Sequence, residues 1–221
     1  MQRRTINLTF HGIGDPPGRL EAAEEAVWLS HEEFLGILDS IAERDDIHLT
    51  FDDGNASDVE YALPALLERG LRADFFVVAG RLGQPGYVDE AGVRALSSAG
   101  MTIGSHGMRH RPWRSLDDHL LREELVEARE TLERVVGAPV VSAACPFGSY
   151  DRRALRSLQR LRYQTVYTSD RGTAAPDAWL QARTTLGSGA GSDLEERLAS
   201  SEIPWYRGLP RRAKLVAKRW R

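Results

Sequence analysis

Short runs rich in β-branched and aromatic residues alternate with longer segments whose apolar residues recur every three or four positions. That alternation confines the chain to βα units arranged as a parallel sheet or barrel. The strand candidates are Ile6 to Phe10, Ile47 to Phe51, Ala73 to Ala79, Met101 to Gly104, Val140 to Ala144 and Tyr163 to Tyr167, with a further late strand around Arg183. Helical periodicity covers Ser30 to Glu43, Ser57 to Arg69, Asp89 to Ala99, Ser115 to Val136 and Tyr150 to Leu161. Ser30 with Glu33 and Ser57 with Glu60 have capping-box spacing, and Gly70, Gly100 and Gly137 sit where helices should stop. At 221 residues the chain suits one sizeable core, so the expectation is an α/β single domain over 1–200 followed by a basic tail over 201–221.

Parallel βα folds gather ligands at the carboxyl ends of their strands. Two stretches stand at such ends: Thr50-Phe51-Asp52-Asp53-Gly54 and Ser105-His106-Gly107-Met108-Arg109-His110. Alone, Asp-Asp-Gly is ordinary turn chemistry, and two histidines four apart are ordinary surface or core residues. Placed after two separate strands, they converge on one rim. One aspartate and two imidazoles then supply three ligands to a borderline divalent cation and leave positions for water and substrate, as in a catalytic metal site. The second aspartate is left over as a base.

This pair of motifs resembles the polysaccharide deacetylase family, carbohydrate esterase family four, over residues 5 to about 185. Phe10-His11-Gly12-Ile13-Gly14, Ala144-Cys145-Pro146-Phe147-Gly148-Ser149-Tyr150 and Leu180-Gln181-Ala182-Arg183 are similar to further family segments. The resemblance implies a distorted (β/α) barrel of about seven parallel strands. It implies that Asp53, His106 and His110 hold a divalent metal, with zinc foremost and cobalt, nickel or iron compatible with the donors. Asp52 would be the general base, the loop around Pro146 and Phe147 would meet the substrate, and a backbone N–H there would help to stabilise the oxyanion. The implied activity is removal of N-acetyl groups from an acetylated amino sugar, glycan or glycan precursor. Hydrolysis of another non-peptide amide, linear or cyclic, and an inactive carbohydrate-binding role are the alternatives.

Two departures from the family pattern bear on mechanism. The third motif usually carries an arginine that orients the base, and Ala144 stands in its place; Arg183 is the expected replacement. The late family histidine that protonates the leaving amine has no counterpart, since no histidine follows His119. His11, at the end of the first strand, is the candidate acid, with a hydrogen-bonded loop histidine as the plain reading.

Trp113 is either a stacking surface for a pyranose ring or a core side chain, and Cys145 reads as a small buried hydrophobe. His31, His48 and His119 carry no assigned chemistry. The glycine- and serine-rich stretch from Gly187 to Ser192 reads as a flexible connection. The 29 basic and 32 acidic side chains nearly balance, which argues against nucleic acid as the partner. A missing signal sequence and a single cysteine suggest a cytoplasmic chain, and the basic tail suggests peripheral contact with the inner membrane face.

Overall fold

The computed structural model describes residues 4–18, 22–192, 194 and 198. The basic tail over 201–221, with its suggested membrane contact, lies outside the described residues. Among those described, seven parallel strands close into a barrel in chain order: β1 (Ile6–Phe10), β2 (Ile47–Asp53), β3 (Ala73–Val77), β4 (Thr102–Ser105), β5 (Ser142–Ala144), β6 (Thr165–Thr168) and β7 (Leu180–Thr185). Closure is made by β1 and β7, with Asn7 opposite Arg183 and Thr9 opposite Thr185. The weakest seam joins β4 to β5, where Ser105 and Ala143 are the one paired position. The expected distorted barrel is therefore the observed one.

Around it run α1 (Ala22–Glu25), α2 (His31–Ile41), α3 (Leu63–Glu68), α4 (Glu90–Ser98), α5 (Asp118–Arg122), α6 (Ala128–Val136) and α7 (Arg152–Arg160). Helix α2 begins as its sequence predicts, with the Glu33 N–H donating to Ser30 Oγ and the Ser30 N–H to the Glu33 carboxylate. The Ser57–Glu60 capping box does not form, because the Ser57 hydroxyl accepts the Ile13 N–H instead. Gly187 to Ser192 is not a loose connection either. Gly189 donates to Glu33 at 2.8 Å and Ala190 is fully buried, so the segment docks on the start of α2.

Two of the predicted helices are interrupted. A π-helical turn, Asp58–Ala62, precedes α3, and another, Glu123–Glu127, joins α5 to α6. Wider turns of this kind shift the register of the buried face and often mark functional positions.

Strand alternation separates two environments. Outward, Phe10, Phe51 and Phe75 stack across neighbouring strands with centroids 5.0 and 4.6 Å apart, and Phe34 of α2 meets Phe10 edge-on at 5.3 Å. Inward, the barrel holds Asn7, Thr9, Thr50, Asp52, Asp74, Gln181 and Arg183, all buried. These polar groups satisfy one another: Asn7 donates to Gln181 at 2.9 Å, and the Tyr167 hydroxyl donates to Asp74 at 3.0 Å beside His48.

Trp113 requires a correction. It is fully buried among Leu121, Leu125, Tyr150 and Leu158, so it packs a core beneath the rim and offers no face to a sugar. Cys145 is buried in the same cluster, as its sequence context suggests.

Candidate active site

Strand β2 ends on the two carboxylates, and its alternation sends them different ways. Asp52 points into the barrel, and Asp53 lies at the rim with φ +79°. Gly54 follows at φ +71°, turning the chain sharply off the strand. After β4, the segment from Ser105 to His110 forms a loop rather than a helix, with His110 at φ +55°. The loop after β5 presents Phe147 at φ +56°. Three of the site's non-glycine residues thus occupy the left-handed region, a strain of about 1–3 kcal/mol each that persists only where surrounding structure enforces it.

That loop geometry brings the expected ligands together. One donor atom from each of Asp53, His106 and His110 lies within 4.8 Å of the others. His106 donates through Nδ1 to the Ala144 carbonyl at 2.9 Å, which fixes its tautomer and leaves the Nε2 lone pair facing inward. His110 Nε2 stands 3.1 Å from Asp53 Oδ1, yet that buried oxygen makes no well-formed hydrogen bond. An anionic oxygen left in this condition beside two inward-facing imidazoles fits a bound divalent cation. Burial lowers the pKa of both histidines, that of His110 to about 4, so both are neutral and able to ligate near pH 7.

Arg183 takes the place that the sequence comparison assigned to it. It reaches from β7 through the barrel and forms a two-pronged pair with Asp52, Nη1 to Oδ1 at 2.7 Å and Nη2 to Oδ2 at 2.6 Å. Its guanidinium also donates to Thr50 Oγ1 and lies over the rings of Phe76 and Tyr167 at 5.3 and 5.7 Å. Burial alone would raise the Asp52 pKa. The Arg183 charge, helped by His106, outweighs burial and holds the carboxyl well below the usual carboxylate range. Asp52 Oδ2 stands 3.7 Å from His106 Nε2, beside the ligand cluster.

A cavity of about 260 Å³ opens beside Asp53 and is lined by His11, Trp28, Asn55 and Tyr87. His11 follows β1, and its buried Nδ1 has no hydrogen-bond partner among the described residues. Phe147 is 68 % exposed, with its ring centroid 4.5 Å from that of His110, while Pro146 is buried beneath it. Gly148 and Ser149 donate to the carbonyls of Cys145 and Pro146, and the Phe147 N–H takes no part in that pair of bonds. Trp28 lies flat against Gly12, where a Cβ would come within 2.1 Å of the indole, and its Nε1 donates to the Gly14 carbonyl.

The π-helical turns contribute two residues that motif reading passed over. Asp58 is fully buried with neither oxygen in a well-formed hydrogen bond. Burial first, and then the Asp53 and Asp52 charges, raise its pKa well above the usual range. Glu124 is also fully buried and accepts the Met108 and Arg109 N–H groups. The available signal was an acid on an apolar helical face, since Glu124 is spaced with Leu121 and Ala128, and Asp58 with Ala62.

Replacing Arg183 with Met is expected to leave Asp52 buried without its counter-charge, at a cost of about 3–5 kcal/mol. The Asp52 pKa then rises, and urea unfolding together with the carboxyl titration followed by NMR reads both effects. An Asp52 that stays ionised and a stability equal to wild type would contradict the pairing.

Comparison with known proteins agrees with this architecture. The family profile described as polysaccharide deacetylase matches residues 40–166. YxkH of Bacillus subtilis (strain 168), named as a polysaccharide deacetylase, is 23% identical over 134 residues, covering 61% of this chain and 48% of that protein. The chain thus spans about half the length of that curated relative. The deacetylase PplD of Streptococcus pyogenes, solved with acetate, superposes with a TM-score of 0.77 at 18% identity, over 92% of this chain and 100% of that one. The polysaccharide deacetylase BC0361 of Bacillus cereus gives 0.75 at 19% identity, over 90% and 69%. These structures share the barrel, and the profile match covers more than half of the sequence: the chain belongs to the polysaccharide deacetylase family.

Proposed function

We propose that this protein is a divalent-metal-dependent deacetylase that removes N-acetyl groups from an amino-sugar glycan or glycan precursor. The observation that carries the reading is the cluster of Asp53, His106 and His110 beside a separate, arginine-held carboxylate, Asp52. Arg183 supplies from β7 the charge that the third motif lacks. This answers one of the two motives for reading the chain as an inactive carbohydrate-binding relative, the other being the missing late histidine.

Asp53 Oδ1 and the Nε2 atoms of His106 and His110 would hold the ion, most simply zinc. When bound, such an ion polarises an amide carbonyl and makes water a nucleophile near neutral pH. Asp52 accepts the proton of the attacking water. Arg183 keeps Asp52 ionised and aimed at the rim, so orientation rather than raised basicity is its contribution. The Phe147 N–H would donate to the developing oxyanion. His11 is assigned to protonate the departing amine because it lines the same cavity as Asp53. Trp28 and Tyr87 form the aromatic side of the cavity and receive the sugar ring that the sequence reading had offered to Trp113.

The reaction class is tested by elemental analysis of wild type and Asp53→Ala, coupled to acetate release from N-acetylglucosamine oligomers. Wild type should retain about one divalent ion per chain and release acetate, and Asp53→Ala should do neither. Acetate release undiminished in Asp53→Ala would refute the assignment. For His11→Gln, kcat should fall by about 100-fold while the ion content stays at the wild-type level. An unchanged kcat removes His11 from the mechanism. Trp28→Ala should raise KM for the oligomers by about tenfold, the equivalent of about 1.4 kcal/mol of lost stacking, with kcat little changed. An unchanged KM would place the sugar elsewhere.

A further inference from the structure

The loop that carries both histidines has no helix or strand of its own to hold it, yet it contains two left-handed residues, Gly107 at φ +83° and His110 at φ +55°. Its shape is imposed from two sides. On one, Ala79 and Gly80 donate to the carbonyls of Gly107 and Met108 at 2.9 and 3.0 Å. On the other, Glu124 accepts the Met108 N–H at Oε2 (3.0 Å) and the Arg109 N–H at Oε1 (2.9 Å). The first anchor is backbone belonging to the adjacent loop. The second is a single side chain from a distant helical segment.

The contact is tightly fitted. A Cβ at Gly107 would stand 2.2 Å from Glu124 Oε2, so the carboxylate occupies the space that the glycine leaves open. Glu124 is fully buried, and the π-helical turn Glu123–Glu127 turns it inward from an otherwise apolar face. Glu123, next along the turn, is bound differently. It accepts from Arg109 Nε at 3.0 Å and Arg111 Nη1 at 2.7 Å, and so grips side chains at the surface rather than the loop backbone.

We propose that Glu124 is a positioning residue for the metal centre, setting the affinity for the ion by holding the segment between His106 and His110 in its left-handed conformation. The proposal rests on the metal-site reading above. Two charge-assisted bonds to consecutive N–H groups fix the peptide planes that lead into His110, and His110 then meets Asp53 without having to be ordered by the ion. A carboxylate is needed because both donors point at it; an amide would turn one N–H₂ group towards an N–H.

The test measures zinc affinity by competition with a chromophoric chelator, on protein shown to be folded by circular dichroism. Glu124→Gln and Glu124→Asp should each raise the zinc Kd by about 10- to 100-fold, the range found when outer groups that orient ligands are lost. Glu124→Asp retains the buried charge but withdraws it from the loop, which keeps the test usable if the amide variant does not fold. Two controls should bind zinc like wild type: Glu123→Gln, which breaks surface pairs alone, and Leu132→Ala, which opens a cavity in α6 on the same helical segment. Wild-type affinity in both Glu124 variants, or an equal loss in Leu132→Ala, overturns the proposal. A wild-type chain that binds no zinc overturns the metal-site reading, and this inference with it.

Discussion

A guanidinium sealed inside a barrel is tolerable only if every donor direction is met, and the interior of this protein is arranged around that demand. Arg183 is fully buried, and it meets the Asp52 carboxylate with two hydrogen bonds, Thr50 with another, and the faces of Phe76 and Tyr167 with its planar cation. Burying two charges is costly, and their attraction compensates only with good geometry and further hydrogen bonds. The reward is chemical. Asp52 stays ionised inside the barrel, with its Oδ2 3.7 Å from His106 Nε2.

The outward face serves a different end. Phe10, Phe51 and Phe75 tie β1, β2 and β3 into one stacked row against Phe34, so the strands that deliver His11, Asp52 and Asp53 share a rigid apolar backing. Strain is also present at the rim. Asp53, His110 and Phe147 all have positive φ, which a stable scaffold can enforce and a loose one would relax. Asp58 and Glu124, placed by interruptions of two helices, lie among these loops as buried acids.

Much of the barrel was legible because its strands are apolar runs and its helices keep period. Six strand candidates fall on observed strands within a few residues. Ser30 and Glu33 cap α2 because a local motif needs only local backbone. Ser57 and Glu60 have the same spacing and fail, because Ile13, far off in sequence, offers the serine hydroxyl a better use. The π-helical turns were hidden for a related reason: periodicity reports a regular helix, and the buried acid that marks the interruption reads as a surface charge until its surroundings are known.

The sequence by itself determined the βα alternation, and its motifs, through their resemblance to a known family, named three ligand candidates and Arg183 as the stand-in for a missing arginine. The alternation follows from residue type and order, the named roles from the resemblance. Only the tertiary structure decided that Arg183 meets Asp52 across the barrel, that Trp113 is core while Trp28 faces the cavity, and that His11 lines the same cavity as Asp53. Each of these depends on which strands close the barrel and on which way a side chain leaves its strand or loop, and contacts over more than a hundred residues have no signature in local pattern.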